Sequence, residues 1–238
     1  MPTKQIHDIL PYRETLTAFD NAALASGDQC LSVISSPAGA GKSFCAREFA
    51  ERHAEHLLVH CPPKCLLTSP RALLDVSARP LGIAVGVQSR PRELTEAIIE
   101  ALAARRGLLM VDEAEELTTP IANLVRYVAE RSGRPACYIG APRIKEVLLR
   151  HEPLSTRVGY RYDVRPITVE DLQTMFPQTY SRPAYEEIVR TTRGNLRLVF
   201  QLWPKLAEAK RGLGGSRDAV DETVVRAIAD NFLLIRAA

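Results

Sequence analysis

The feature that most constrains this chain is a glycine-rich octapeptide at 36–43, with the sequence Ser-Pro-Ala-Gly-Ala-Gly-Lys-Ser. The apolar run 31–35 before it predicts a buried strand, and the pattern at 44–52 predicts a helix. A strand, a glycine-rich turn and a helix in that order are the context of a phosphate-binding loop. Ser36 stands where the usual G-x-x-x-x-G-K-[ST] pattern has its first glycine. The sequence therefore predicts a site for the phosphates of a nucleoside triphosphate.

The residue types in this loop suit an anion and its metal ion. Gly39 and Gly41 let backbone N–H groups converge on a phosphate, and a helix that begins at Lys42 adds its positive N-terminal end. Lys42 can reach the β- and γ-phosphates, and the Ser43 hydroxyl can bind Mg²⁺. The residues predicted to bind nucleotide here are Pro37, Ala38, Gly39, Ala40, Gly41, Lys42, Ser43 and Phe44.

Composition is that of an ordinary soluble globular protein, with 46% apolar and 25% charged residues in 238 positions. No apolar run approaches the roughly 20 residues that a membrane helix needs. The N-terminal residues lack the basic-then-apolar pattern of a signal peptide, so we expect a cytoplasmic protein with no membrane partner. A net charge of +3 does not by itself indicate a nucleic-acid partner. A local basic patch is the alternative way for such a chain to bind nucleic acid.

The cysteines are odd in number and lie mostly in apolar runs, which predicts reduced, buried thiols. The pair Cys61 and Cys65 lacks the second Cys or His pair that a zinc site requires. A metal site at this pair is therefore not expected.

A second chemical landmark is the apolar run 108–111, which ends in Asp112 and Glu113. The run predicts a central parallel strand, and open α/β sheets bind ligands at the C-terminal ends of their strands. Because a phosphate-binding loop precedes this pair, Asp112 is predicted to hold Mg²⁺, usually through water. Glu113 is predicted to polarise the attacking water.

The remaining patterns alternate between strand and helix up to residue 165, which predicts a right-handed, doubly wound parallel sheet. Further strands are predicted at 57–60, 135–140 and 157–164, and further helices at 12–26, from Ser69 onward, at 92–106 and at 116–131. From 166 onward only helices are predicted, at 169–176, 183–192, 195–210 and 218–234, with a flexible link at 211–216. We expect a nucleotide-binding α/β domain with an N-terminal helix at 1–165 and a small helical domain at 166–238.

Together, the loop, the strand ending in Asp112 and Glu113, and the helical C-terminal region resemble an AAA+ ATPase from about Tyr12 onward. The resemblance implies a P-loop AAA+ fold, in which a parallel sheet between helices precedes a helical lid domain. It also implies ATP and Mg²⁺ as cofactors. Such proteins assemble into rings or helical filaments, so a homo-oligomer is expected.

Two arginines carry further parts of this resemblance. The segment 154–158 resembles the place where the superfamily has its arginine finger, which implies that Arg157 reaches the nucleotide of a neighbouring subunit; Arg161 and Arg143 are the alternatives. The segment 194–199 resembles the sensor-2 motif, which implies that Arg197 contacts the γ-phosphate in cis. Arginine suits both roles because its planar fork stays charged and binds phosphate oxygens bidentately. Either side chain instead fits a surface position or a structural ion pair.

One polar group of the family pattern is replaced. Ala141 stands near the end of the fourth predicted strand, where the family usually has a polar sensor-1 side chain that orients the attacking water. The resemblance therefore implies hydrolysis that is slow or stimulated by a partner.

The stretch 139–143 and the lid opening at 166–172 are similar to the transposition-regulator ATPases of the MuB and TnsC kind and their ExeA-like relatives. This narrower resemblance implies assembly on duplex DNA without sequence preference and delivery of target DNA to a transposase. ATP binding would drive assembly, and hydrolysis would drive disassembly. Two alternatives stay open: a helper ATPase that acts on a protein partner without binding DNA, and a nucleotide switch that barely hydrolyses ATP.

The resemblance places a DNA-contacting surface between the second and third strands, at 61–92. Residues 62–92 contain five basic side chains and one acidic one, Asp75. Such a surplus fits contact with phosphates, although each basic residue alone also fits a solvated helix face. Lys64 and Arg71 are the first candidates, and the basic side of the lid is the alternative. The other basic residues of these two surfaces are Arg79, Arg90 and Arg92, and Lys205, Lys210 and Arg211.

Overall fold

A computed structural model describes residues 3–67, 69–86 and 89–233. Five parallel strands form one sheet in the order β2-β3-β4-β1-β5. Their bounds are β1 Leu31–Ser35, β2 Leu57–His60, β3 Leu109–Asp112, β4 Ala136–Gly140 and β5 Val158–Asp163. The predicted parallel, doubly wound sheet is confirmed.

The centre of the sheet explains why its strands read as continuous apolar runs. Every residue of β1 and β4 is buried, and the two strands pair in register from Leu31 with Ala136 to Ser35 with Gly140. Strands covered on both faces have no solvent-facing row to alternate with. The edge strand β5 instead alternates between half-buried and exposed residues. Because all strands are parallel, their C-terminal ends meet at one edge of the sheet.

Helices surround the strands and follow them in chain order. Their bounds are α1 Leu10–Ala23, α2 Lys42–Arg52, α3 Pro70–Ala78, α4 Pro91–Ala103, α5 Thr119–Ser132, α6 Arg143–Leu149 and α7 Glu152–Ser155. Short 3-10 turns occur at Thr3–Asp8, Gly27–Gln29, Arg79–Leu81 and Ala114–Glu116. Within the part of the chain that the structure describes, no helix combines the length and the apolar character that crossing a membrane requires.

The C-terminal region is helical, with α8 Val169–Met175, α9 Arg182–Thr192, α10 Leu196–Gly212, a 3-10 turn at Arg217–Ala219 and α11 Glu222–Phe232. Side-chain caps set several of these starts. Thr168 accepts the amide of Asp171 at the start of α8, Asn195 accepts that of Leu198 at the start of α10, and Asp221 caps α11. Trp203 of α10 stacks on Phe176, so the apolar stripe of α10 forms the core of this region.

The chain divides into two compact units. The sheet unit comprises residues 15–37 and 42–164, and the helical unit comprises residues 1–14, 38–41 and 165–238. The chain therefore passes from the sheet to the helices near residue 165. The first 14 residues and four residues of the glycine-rich loop group with the helices, although the sequence analysis assigned them to the α/β domain.

Several element boundaries differ from those predicted. Helix α5 begins at Thr119, not at residue 116, because Ala114–Glu116 form a 3-10 turn after β3. Helices α6 and α7 were not predicted, since seven and four residues are too short to display a clear period. Helix α10 continues to Gly212 into the expected link, and the predicted last position of α11, 234, lies outside the described residues.

The thiols are mostly buried, as predicted: Cys30, Cys45, Cys61 and Cys137 are buried, whereas Cys65 is exposed. Burial raises the pKa of Cys45 and of Cys61 to about 12, and it also raises the pKa of Cys30 and Cys137. These four thiols are therefore unreactive at neutral pH.

Candidate nucleotide site

The glycine-rich loop has the backbone that its sequence predicts. Gly39 and Gly41 have φ values of +88° and +98°, a left-handed region that side chains with a Cβ rarely occupy. Helix α2 begins immediately afterwards, at Lys42. Successive amides in such a turn, followed by a helix N-terminus, form a concavity that attracts anions.

The ammonium group of Lys42 is buried and hydrogen-bonded to the loop itself. The residue is 7% exposed, and its Nζ donates to Ser36 O at 2.8 Å, to Ser36 Oγ at 3.0 Å and to Pro37 O at 3.2 Å. Ser36, the departure from the usual glycine, thus supplies a hydroxyl acceptor. Since a buried ammonium needs partners, these oxygens hold the charge at the place where the motif requires it.

Asp112 offers a buried oxygen that fits a cation. The residue is 1% exposed, and its Oδ2 makes no hydrogen bond within the described residues. His60, its register partner on β2, has Nδ1 3.2 Å from that oxygen, but without hydrogen-bond geometry. Buried polar atoms are normally paired, and carboxylate oxygens are the ligands that Mg²⁺ prefers. The carboxylate of Asp112 therefore fits a divalent cation, and the Ser43 hydroxyl at the start of α2 is the second oxygen that the sequence predicts for it.

Glu113 follows Asp112 in a conformation that is rare for its residue type. Its φ is 56° and its ψ is 36°, and left-handed non-glycine residues cluster at functional sites. The turn brings Glu115 against β4, where a Cβ on Gly140 would lie 3.1 Å from the Glu115 backbone nitrogen. Glycine at 140 therefore permits this close approach. The exposed side chain of Glu113 leaves the sheet at its C-terminal edge.

The sheet unit brings four predicted residues to one edge. Lys42 and Ser43 begin α2, which contacts β3 and β4. Asp112 is the last residue of β3, and Glu113 follows it. Strand β4 lies between β3 and β1, and Ala141 follows it. The side chain at position 141 is the methyl group of an alanine, so the polar sensor-1 group of the family pattern is missing at this position, as the sequence indicated.

Arg157 is engaged within its own chain. Its Nε donates to Glu130 at 3.0 Å, and its Nη2 lies 4.0 Å from Asp28. The hydrogen bond to Glu130 raises the pKa of Arg157. This is the structural ion pair that the sequence analysis left open. Arg161 and Arg143, the alternative fingers, are exposed.

In the helical unit, the start of α10 contacts the glycine-rich loop. Arg197 has an exposed side chain, and its backbone N–H donates to Gly39 O at 3.0 Å. Asn195 donates from Nδ2 to Ala38 O at 2.7 Å. Sequence reasoning singled out Arg197 but missed Asn195, because no pattern indicates a bond between residues 157 positions apart.

The two first DNA candidates differ in how free their charges are. Lys64 is exposed and borders a cleft of about 290 Å³ that Arg143 and Arg150 also line. The Arg71 guanidinium instead binds Asp75 and the carbonyl oxygens of Gly86 and Ser89. Arg71 thus joins α3 to the segment before α4, a role that sequence alone did not suggest.

Both a protein family and a known transposition protein match this chain. Residues 25–148, more than half of the chain, match the family described as an AAA domain. The Mu-like prophage FluMu DNA transposition protein B of Haemophilus influenzae (strain ATCC 51907 / DSM 11121 / KW20 / Rd) is 25% identical over 217 residues. The aligned region covers 83% of this chain and 73% of that protein.

Solved structures share the fold at low identity. Cdc6p from Pyrobaculum aerophilum is similar with a TM-score of 0.69 at 17% identity, over 94% of this chain and 68% of that chain. The Aeropyrum pernix ORC1 protein, solved in complex with DNA, is similar with a TM-score of 0.60 at 15% identity, over 95% of this chain and 66% of that chain. At such identities the likeness concerns the fold.

Proposed function

This chain belongs to the AAA family of ATPases, and from that premise we propose that it is an ATP-dependent regulator of transposition that assembles on duplex DNA. The observation that carries the proposal is a sheet edge with two buried charged groups: Lys42 at the start of α2, and Asp112, whose Oδ2 makes no hydrogen bond within the described residues. The likeness to a transposition protein along most of the chain supports the biological setting. Its partner would be a transposase, and its DNA contacts would be independent of sequence.

In this proposal each residue of the edge has one task. Lys42 exchanges its loop acceptors for the β- and γ-phosphate oxygens, which offer stronger, charge-assisted bonds. Ser43 and Asp112 hold Mg²⁺, which neutralises charge on the phosphates when it is bound. Glu113 polarises the attacking water. Arg197 belongs to the helical unit, and the family resemblance assigns it to the γ-phosphate.

Arg157 would act between subunits. Its bonds to Glu130 and Asp28 leave the guanidinium more than one third exposed, and exposed ion pairs contribute little stability. Exchanging these carboxylates for the phosphates of a neighbouring subunit therefore costs little. Bound ATP would then stabilise the assembled state, and hydrolysis would remove that contact.

The first experiment tests ATP chemistry. We expect Lys42→Ala to weaken ATP binding by roughly 100-fold, because the charged hydrogen bonds to phosphate are lost. Glu113→Gln should bind ATP normally but stop turnover, since it keeps the shape and removes the base. Calorimetric titration and phosphate release measure the two properties. Tight ATP binding by Lys42→Ala would show that the loop is misassigned.

A second experiment tests the DNA surface one residue at a time. Lys64→Ala should weaken duplex binding equally across sequences and lower the salt slope by about 1, if Lys64 meets a phosphate. Arg71→Ala removes a guanidinium that is already bound, so its salt slope should change less while its thermal midpoint falls. Exposed Arg79, Arg90 and Arg92 extend the same surface.

The DNA experiment also separates the proposal from its rival. A wild-type protein that hydrolyses ATP but shows no salt-dependent affinity for duplex DNA would be a helper ATPase that acts on a protein partner. If DNA binds and Lys64→Ala changes nothing, the basic side of the lid, at Lys205, Lys210 and Arg211, becomes the surface to test.

A further inference from the structure

The start of α10 holds the glycine-rich loop by two of its carbonyl groups, and both bonds lie within the helical unit. Asn195 Nδ2 donates to the carbonyl oxygen of Ala38 at 2.7 Å. The backbone N–H of Arg197 donates to the carbonyl oxygen of Gly39 at 3.0 Å. The loop is thus anchored by one side chain and one backbone amide of the same helical turn.

The amide group of Asn195 has a defined orientation, because each of its ends has one compatible partner. Its Oδ1 accepts the N–H of Leu198 at 3.3 Å and caps α10. Its Nδ2 faces the carbonyl of Ala38. A reversed amide would set donor against donor and acceptor against acceptor. One side chain therefore starts the helix and anchors the loop.

Peptide geometry transmits this anchoring to the inner face of the loop. The described peptide bonds are trans, and in a trans peptide the C=O and N–H groups point in opposite directions. Fixing the Ala38 carbonyl fixes the N–H of Gly39, and fixing the Gly39 carbonyl fixes the N–H of Ala40. Amides directed away from these anchors are free to converge on an anion.

The loop approaches the helix so closely that it needs a glycine for room as well as for conformation. A Cβ on Gly39 would overlap the Asn195 side chain and lie 2.9 Å from Arg197 Cβ. A Cβ on Gly41, which has a similar φ, would meet only Leu196 Cδ2, at an ordinary 3.5 Å. The approach that excludes a side chain therefore lies at Gly39 and not at Gly41.

We propose that Asn195 is a positioning residue for the phosphates of the nucleotide, acting through the Ala38 carbonyl on the loop amides. The inference rests on the proposed ATP binding at this loop. Asn195 itself contacts the protein and not the nucleotide. Arg197, which the resemblance assigns to the γ-phosphate, lies two positions after Asn195 in the same helical turn.

The decisive variant is Asn195→Asp. It retains the cap acceptor and adds a negative charge that favours a helix N-terminus, but it sets an oxygen against the Ala38 carbonyl. We expect its dissociation constant for Mg-ATP to rise about tenfold, while its thermal midpoint without nucleotide changes little, because the charge at the helix N-terminus offsets the lost bond. With Mg-ATP present, hydrogen exchange at the Gly39 and Ala40 amides should be faster in this variant than in the wild type, because the phosphates protect these amides less. Asn195→Ser adds no charge, so an equal rise in its dissociation constant would separate the lost bond to Ala38 from repulsion between a new carboxylate and the phosphates.

A matched control makes the same chemical change elsewhere in the helical unit. Asn231 donates from Nδ2 to Ala227 O at 2.7 Å in α11, so Asn231→Asp should bind ATP like the wild type. If Asn195→Asp does not fold, Asn195→Ser keeps a cap that is too short for Ala38 and should show the same loss. Normal affinity in the folded Asn195 variant, with Lys42→Ala still defective, overturns the positioning role alone. A wild-type protein that fails to bind ATP overturns both proposals.

Discussion

Buried charges occur in both units of this protein, but they differ in how well they are paired. In the helical unit, Asp171 accepts bonds from Leu10, Thr168 and Arg165, and Glu187 accepts from Arg190, Arg226 and Thr191. In the sheet unit, Asp112 is at least as buried, yet its Oδ2 has no hydrogen bond within the described residues.

The difference separates carboxylates that hold the fold from one that is the proposed ligand of a cation. Hydrogen bonds from Arg190, together with those from Arg226, outweigh burial and lower the pKa of Glu187 to about 2. Burial disfavours ionisation of Asp171, but bonds from Thr168 and Arg165 still lower its pKa. Each of these two carboxylates stabilises the fold, whereas a buried carboxylate oxygen without a hydrogen bond opposes folding. Such a cost is tolerated at functional sites.

The strongest test of this comparison is Asp112→Asn, which removes the charge of this carboxylate and keeps its shape. We expect ATP turnover to fall by about 100-fold or more, because the cation loses a carboxylate ligand. The midpoint of thermal unfolding without nucleotide should not fall, since no satisfied bond of Oδ2 is lost. A marked loss of stability would place Asp112 with the structural carboxylates.

The reverse result is expected for Glu187→Gln. Losing the charge that pairs with two arginines should lower the free energy of unfolding by about 1–3 kcal/mol and leave ATP turnover unchanged. The neighbouring Glu186→Gln is the matched control: Glu186 pairs with Arg182 at 2.9 Å but is exposed, so its effect should stay within about 0.5 kcal/mol.

Glu187 also predicts an acid dependence with a definite sign. A carboxyl group whose pKa is depressed on folding stabilises the protein above its unfolded pKa and loses that contribution as the pH falls towards the folded value. The wild type should therefore lose stability as the pH falls from 4.5, the ordinary pKa of a glutamate side chain, to about 2, the pKa of Glu187 in the folded protein. Glu187→Gln should lose less over this range, and equal slopes in chemical denaturation would contradict the pairing.

A smaller pH effect is expected in the sheet unit, from a half-buried histidine whose ring nitrogen is hydrogen-bonded. His56 Nδ1 accepts the N–H of Leu108 at 2.8 Å, and burial lowers the pKa of His56 from its ordinary 6.5. The bond is therefore present above pH 6.5 and is lost as the pH falls through the lower, folded value, at a cost of about 0.5–1.5 kcal/mol. His56→Asn keeps an acceptor near Nδ1 and should remove this dependence. An unchanged pH profile in that variant would exclude His56 as its source.

Sequence patterns predicted the elements that carry strong local signals. The strands β1, β3 and β4 are short, mainly apolar runs, and the loop at 36–43 has a specific motif. The short helices α6 and α7 show no helical repeat of apolar residues. The sequence around Arg71 does not indicate that the carbonyl oxygens of Gly86 and Ser89 bind its guanidinium. The bond between Asn195 and Ala38 depends on the folded path of the chain. Local chemistry was thus predictable, whereas pairing between distant residues was not.

The uneven burial of the thiols has a practical consequence for handling this protein. Four of the five cysteines are buried. The fifth, Cys65, is exposed and follows Lys64 in the proposed DNA surface. A maleimide dye should therefore attach to the natural sequence at a single position, with no engineered cysteine. Its brightness, or the rate at which it reacts, would then report in real time on whatever covers that stretch of surface.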